Sequence, residues 1–179
     1  VSDAPEFSRP VRSDTLGPEP RPIEIAATKE ERAALARRFG LVSIARLEAR
    51  AALSRVGDTA VAEGTLEADV AQSCIGTGEP VEERVAEPFR IEFRPHPQVM
   101  GDEEIELSES ELDVVFYDGA LVDLGEAIAQ TLSLSLDPYP RSPKAAAALK
   151  KAGVKAEEEA ARESSPFAGL AALKDKLAR

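Results

Sequence analysis

The hydrophobic period of the chain changes from segment to segment, and each change marks an element. From Ser43 the period is two: Ala45, Leu47, Ala49, Ala51 and Leu53 alternate with Arg46, Glu48, Arg50, Ala52 and Ser54, the pattern of a half-buried strand. Gly57-Asp58 is a turn, beyond which Ala60, Ala62, Gly64, Leu66, Ala68 and Val70 alternate with Val61, Glu63, Thr65, Glu67, Asp69 and Ala71. The two stretches predict a long antiparallel hairpin. A third alternating stretch runs through Val81, Glu83, Val85, Glu87, Phe89, Ile91 and Phe93. It contains Pro88, which lacks a ladder donor and so marks a bulge or an edge.

Ahead of the hairpin, Glu6 to Arg12 and Arg21 to Ala27 read as extended segments, separated by the proline-rich run Thr15 to Pro20. Thr28-Lys29-Glu30-Glu31 fits a capping box, and the helix it starts runs to Phe39 and ends on Gly40. After the third strand, 96–111 reads as an exposed acidic loop, and Leu112 to Gly119 as a short strand closed by a turn. Asp123 then caps a helix with Leu124, Ala127, Ile128, Thr131, Leu132, Ser135 and Leu136 on one side, expected to cover the open face of the sheet. Asp137 to Pro143 stops it. An Ala/Lys-rich helix and the polar run Glu157 to Ser165 follow, and Pro166 opens a short amphipathic helix striped by Phe167, Leu170, Leu173 and Leu177. These elements predict an α+β domain over 1–140 with a curved antiparallel sheet, open or closing toward a small barrel, and a helical extension over 141–179.

Charge alters this picture more than composition does. The 179 residues carry 22 Lys+Arg, 33 Asp+Glu and one His, a formal charge of −11. A domain that works by neutralising phosphates carries a basic surplus, and this one does not. Residues 97–126 alone supply ten acidic groups and no Lys or Arg, whereas 29–50 and 141–179 are net basic. With aromatics at 4% and no Trp, stacking platforms for bases are not expected. No apolar run approaches the ~18 residues of a membrane helix, and Val1 to Pro5 does not open a secretory signal, so a cytoplasmic protein is expected.

Catalytic chemistry finds little support in the residue types. His96 is the only imidazole, held extended between Pro95 and Pro97 with no nucleophile motif nearby, and a structural or exposed role is expected of it. Cys74 is the only thiol; it excludes an intramolecular disulfide, and with no cation beside it in sequence it reads as a small packing residue. One His and one Cys cannot build an ordinary zinc site. The carboxylates from Asp102 to Asp113 do not follow the spacing of an EF-hand, and there is no glycine-rich phosphate loop. No enzyme, cofactor, metal or small-molecule substrate is expected. Cations that could touch RNA fall in two groups, Arg32, Arg37 and Arg38 with Arg46 and Arg50, and Lys144, Lys150, Lys151 and Lys155, neither interleaved with aromatics.

Four segments resemble the YceD-like family, named for accumulation of the large ribosomal RNA. They are Cys74 with Glu79-Pro80; Leu112-Asp113 leading through Tyr117-Asp118-Gly119 to Asp123-Leu124-Gly125-Glu126; Leu132 to Pro140; and Pro166-Phe167 through Leu170 and Leu173 to Lys174. Where many members have a second cysteine this chain has Thr77, so no role of a cysteine pair carries over. The resemblance implies a non-enzymatic factor in large-subunit biogenesis, needed for accumulation or processing of its RNA. The family's gene often neighbours that of a small basic large-subunit ribosomal protein. That protein, or a pre-ribosomal particle, is the partner expected to meet the acidic surface. Contact is expected through Asp113, Tyr117, Asp118, Gly119, Asp123 and Leu124, with Phe167, Leu170 and Leu173 as a second element. Direct RNA binding through Arg32, Arg37, Arg38, Lys150 and Lys151 is the alternative.

Overall fold

The computed structural model describes residues 5–96 and 114–154. Its elements are β1 (Pro10–Arg12), β2 (Arg21–Ala26), α1 (Lys29–Phe39), β3 (Ser43–Val56), β4 (Thr59–Ser73), β5 (Pro80–Pro95), β6 (Val114–Tyr117), β7 (Leu121–Asp123), α2 (Leu124–Ser135) and α3 (Ala145–Lys151). Strands β2-β3-β4-β5-β6 form one sheet, and β1 pairs with β7 in a small second one. The α+β expectation holds, but the sheet is open among the described residues and does not close into a barrel. It is also mixed, since β6 joins β5 parallel, Glu92 opposite Val114 and Pro95 opposite Tyr117.

The long hairpin forms because small and branched apolar residues repeat at period two over more than a dozen positions on each strand. Leu47, Ala49, Ala51 and Leu53 of β3 and Ala60, Ala62, Leu66, Ala68 and Val70 of β4 are buried on one face. Ala45 departs from the pattern: it is exposed and Ile44 is buried in its place. The register slips between Ile44 and Arg46, and this bulge inserts one residue that reverses the facing of everything before it. On β5, Val85, Phe89, Ile91 and Phe93 face inward. Pro88 causes no bulge, as it stands opposite Thr65 in unbroken register; it lies where β5 is an edge, because β6 reaches only Glu92 to Pro95.

The two long helices cover the inner face. The Thr28 capping box is complete, with the Glu31 N–H on the Thr28 hydroxyl at 3.3 Å and the Thr28 N–H on the Glu31 carboxylate at 2.7 Å; Gly40 ends α1 at φ 67°. Leu35 is fully buried against the sheet, and α1 lies along β3. Helix α2 lies over β4 and β5 through Leu124, Ala127, Ile128 and Leu132. The alanine-rich inner face leaves room for these helices to approach closely, and Phe7 and Phe93 fill the remaining space. Helix α3, the described part of the C-terminal extension, docks on the β4–β5 turn. There the Ile75 N–H donates to the Pro140 carbonyl at 3.0 Å.

Candidate functional site

The segment Tyr117 to Glu126, within the second of the four resembling segments, forms strand end, turn, strand and helix start in immediate succession. Gly119 takes φ 73°, a left-handed turn conformation that glycine adopts without strain. Asp123 is the N-cap of α2. One carboxylate oxygen accepts from the Glu126 N–H at 3.2 Å and the Arg9 N–H at 2.7 Å, and the other from the Ser8 hydroxyl at 2.5 Å. One side chain thus caps a helix and clamps a segment 115 residues away. Gly125 completes the clamp, since a Cβ there would stand 2.5 Å from the Phe7 carbonyl oxygen.

This geometry divides the expected partner residues. Leu124 is fully buried, so it belongs to the core and presents nothing to a partner. Asp123 is half-buried and its oxygens are taken by Ser8, Arg9 and Glu126. Tyr117 is half-buried and its hydroxyl donates to the Asp58 carbonyl at 3.2 Å, tying β6 to the hairpin turn. Asp118 and Gly119 are exposed. Asp113, Phe167, Leu170 and Leu173 lie outside the described residues. Beside Asp118, the Phe116 ring is partly exposed and stacks on His96 with centroids 5.4 Å apart. His96 and Val114, the described residues flanking the acidic stretch, both lie at this end of the sheet, near the Gly57-Asp58 turn.

Many acidic groups on the folded body are answered by its own arginines. Arg9 grips Glu31 with two bonds at 2.7 and 2.8 Å, and the Glu31 carboxyl is held below the usual range, first by this pair. On the uncovered sheet face Arg46 bridges Glu48 and Glu67, and Arg90 bridges Glu63 and Glu92. Arg38, expected among RNA contacts, instead holds Glu126 at 2.7 and 2.9 Å and Glu6 at 2.9 Å, so it staples α1 to α2 and to the N-terminal segment. Arg32 is half-buried and donates to the Ala27 carbonyl at 2.6 Å. Arg37, Lys150 and Lys151 are exposed.

Cys74 is more polar in its setting than a packing residue. Only 2% exposed, it receives the Ser142 backbone N–H at 3.2 Å. Its thiol pKa falls to about 6, first through that N–H and then through the Thr77 hydroxyl. Sequence adjacency missed this because the donor lies 68 residues away. The thiolate is therefore favoured by folding: its contribution is complete above the ordinary thiol value of 9.0 and vanishes as the pH falls through about 6. Thr77→Val is expected to raise the thiol pKa, read from the ultraviolet absorbance of the thiolate against pH; an unchanged titration refutes the role given to the hydroxyl. Among the described residues no group of three or more His, Cys, Asp or Glu side chains could hold a metal ion.

Fold and clamp together define an α+β fold of one long-stranded open sheet and a small second one, sealed by a cap that joins the Ser8-Arg9 segment to α2. The model of the family described as large ribosomal RNA subunit accumulation protein YceD matches residues 62–174, more than half of the chain, and the chain belongs to that family. Membership implies a role in accumulation of the large-subunit ribosomal RNA. No curated protein and no solved structure matches the chain. No helix among the described residues is long and apolar enough to cross a membrane.

Proposed function

We propose that the protein is a non-enzymatic assembly factor in the cytoplasm, whose acidic stretch engages a basic large-subunit ribosomal protein or shields it from RNA until assembly. One observation supports this above the others: many acids of the body, such as Glu31, Glu126, Glu67 and Glu63, hold a cation of the body, but 97–113 holds seven acidic residues with no Lys or Arg among them. A one-sign stretch in the sequence between β5 and β6 raises the rate of encounter with a cation-rich surface and repels phosphates. Exposed Asp118, with Phe116 beside it, offers an acid and an apolar contact on the described body next to that stretch.

The test is a pull-down from cells with and without nuclease. A basic ribosomal protein should be recovered after nuclease treatment. Recovery should fall at least tenfold when Asp102, Glu103, Glu104 and Glu106 are replaced by their amides. Association that nuclease abolishes, or that survives the amide variant undiminished, overturns the reading.

A further inference from the structure

At the opposite end of the long hairpin, α1 and the start of β3 enclose a groove of about 390 Å³. Lys29, Arg32 and Arg37 line it, with Leu41, Val42 and Ile44 as its apolar wall, and no acidic residue contributes. We propose that this groove binds the sugar-phosphate backbone of RNA, a second interaction surface with the opposite sign to the acidic stretch.

Three observations carry it. The first is the absence of internal partners. Arg9, Arg38, Arg46 and Arg90 each hold a carboxylate, whereas Lys29 and Arg37 have no ion pair among the described residues. The second is position. Lys29 opens α1, where the helix dipole favours an acid, so its charge gains nothing from the helix and is left for an anion outside it. The third is spacing: from residue 29 to 37 a helix rises about 12 Å, roughly three to four base-pair rises along a duplex axis. Arg32 is steadied by its bond to the Ala27 carbonyl, which limits the freedom it must lose on binding.

The wall selects among anionic ligands. It is aliphatic, with Val42 55% exposed, and offers no ring on which a base can stack. Recognition therefore falls on phosphates and sugars, independent of sequence.

Anisotropy of a labelled RNA duplex titrated with the full chain tests the proposal. With three phosphates neutralised, affinity should fall roughly 40-fold between 50 and 200 mM salt. Lys29→Glu with Arg37→Glu should abolish binding; the first change favours the helix dipole and the second, in the last turn, opposes it, so the thermal transition should stay close to its place. The amide-type pair Lys29→Gln with Arg37→Gln should flatten the salt slope by about 2. Arg50→Glu, on the other face of the sheet, should bind as the unaltered chain does. Equal binding by the charge-reversed pair overturns the proposal. So does binding of poly-glutamate but not RNA, which would assign the groove to an acidic protein segment. Capture of the basic ribosomal protein by the charge-reversed pair should be undiminished, so this inference and the proposed function fail separately.

Discussion

Gly64→Ala is expected to be the most damaging single-methyl change in the protein, lowering stability by about 4 kcal/mol or more. Gly64 stands opposite Ala51 in the β3–β4 ladder. A Cβ there would lie 1.9 Å from the Arg50 carbonyl oxygen and 2.8 Å from the Ala51 Cα. Both atoms are backbone, so no rotamer change relieves the clash; the strands themselves must part. Parting them at mid-length exposes Leu66 and Leu53, both buried, and loosens the sheet on which both long helices rest. Denaturant unfolding followed by circular dichroism should show the loss. Gly17→Ala is the control: a Cβ there meets nothing within 4 Å and should leave the midpoint unchanged or slightly raised. A Gly64→Ala protein as stable as its parent would mean that the two strands do not meet in this register.

Asp123→Ala should cost about 3 kcal/mol, adding a lost helix cap to two lost bonds with the N-terminal segment. For a domain of this size the midpoint should drop by roughly 6–12 °C. Protease should then cut selectively near Arg9 and Arg12, once β1 is no longer held against β7. Asp123→Ser should recover the cap but not the clamp, giving intermediate stability with the same early cleavage. These outcomes separate a scaffold role from a contact role. If Asp123 instead touches a partner, the alanine variant will keep its midpoint and lose only its binding.

The parts of the fold that were readable from sequence are those whose determinants are neighbours. Leu47 to Leu53 and Ala60 to Val70 announce their strands because alternation is local, and Thr28 with Glu31 announces α1 because a capping box spans one helical turn. Ala45 and Ile44 are both apolar, so no pattern could show which faces the core; the bulge decides it. The parallel β6 was hidden because a parallel pairing depends on the path between strands, not on the residues in them.

The candidate sites follow the same division. Asp123 was legible as a cap, but its hold on Ser8 and Arg9 was not, nor was the capture of Arg38 by Glu6 and Glu126. Such partners are chosen by the finished fold. Lys29 and Val42 of the proposed groove carry no sequence motif, and only the lysine at the first position of a helix is a local anomaly.

The clamp at Asp123 also sets an order of events during synthesis. β1 and the Ser8-Arg9 segment leave the ribosome well before their partners in β7 and α2, which follow more than a hundred residues later. At ordinary elongation rates that interval is roughly 6–23 s. The hairpin and α1 can assemble within it, since their contacts are close in sequence, while the first strand waits unpaired. The joining of the Ser8-Arg9 segment to α2 is thus a late act of folding, and a chain released before α2 keeps that segment loose.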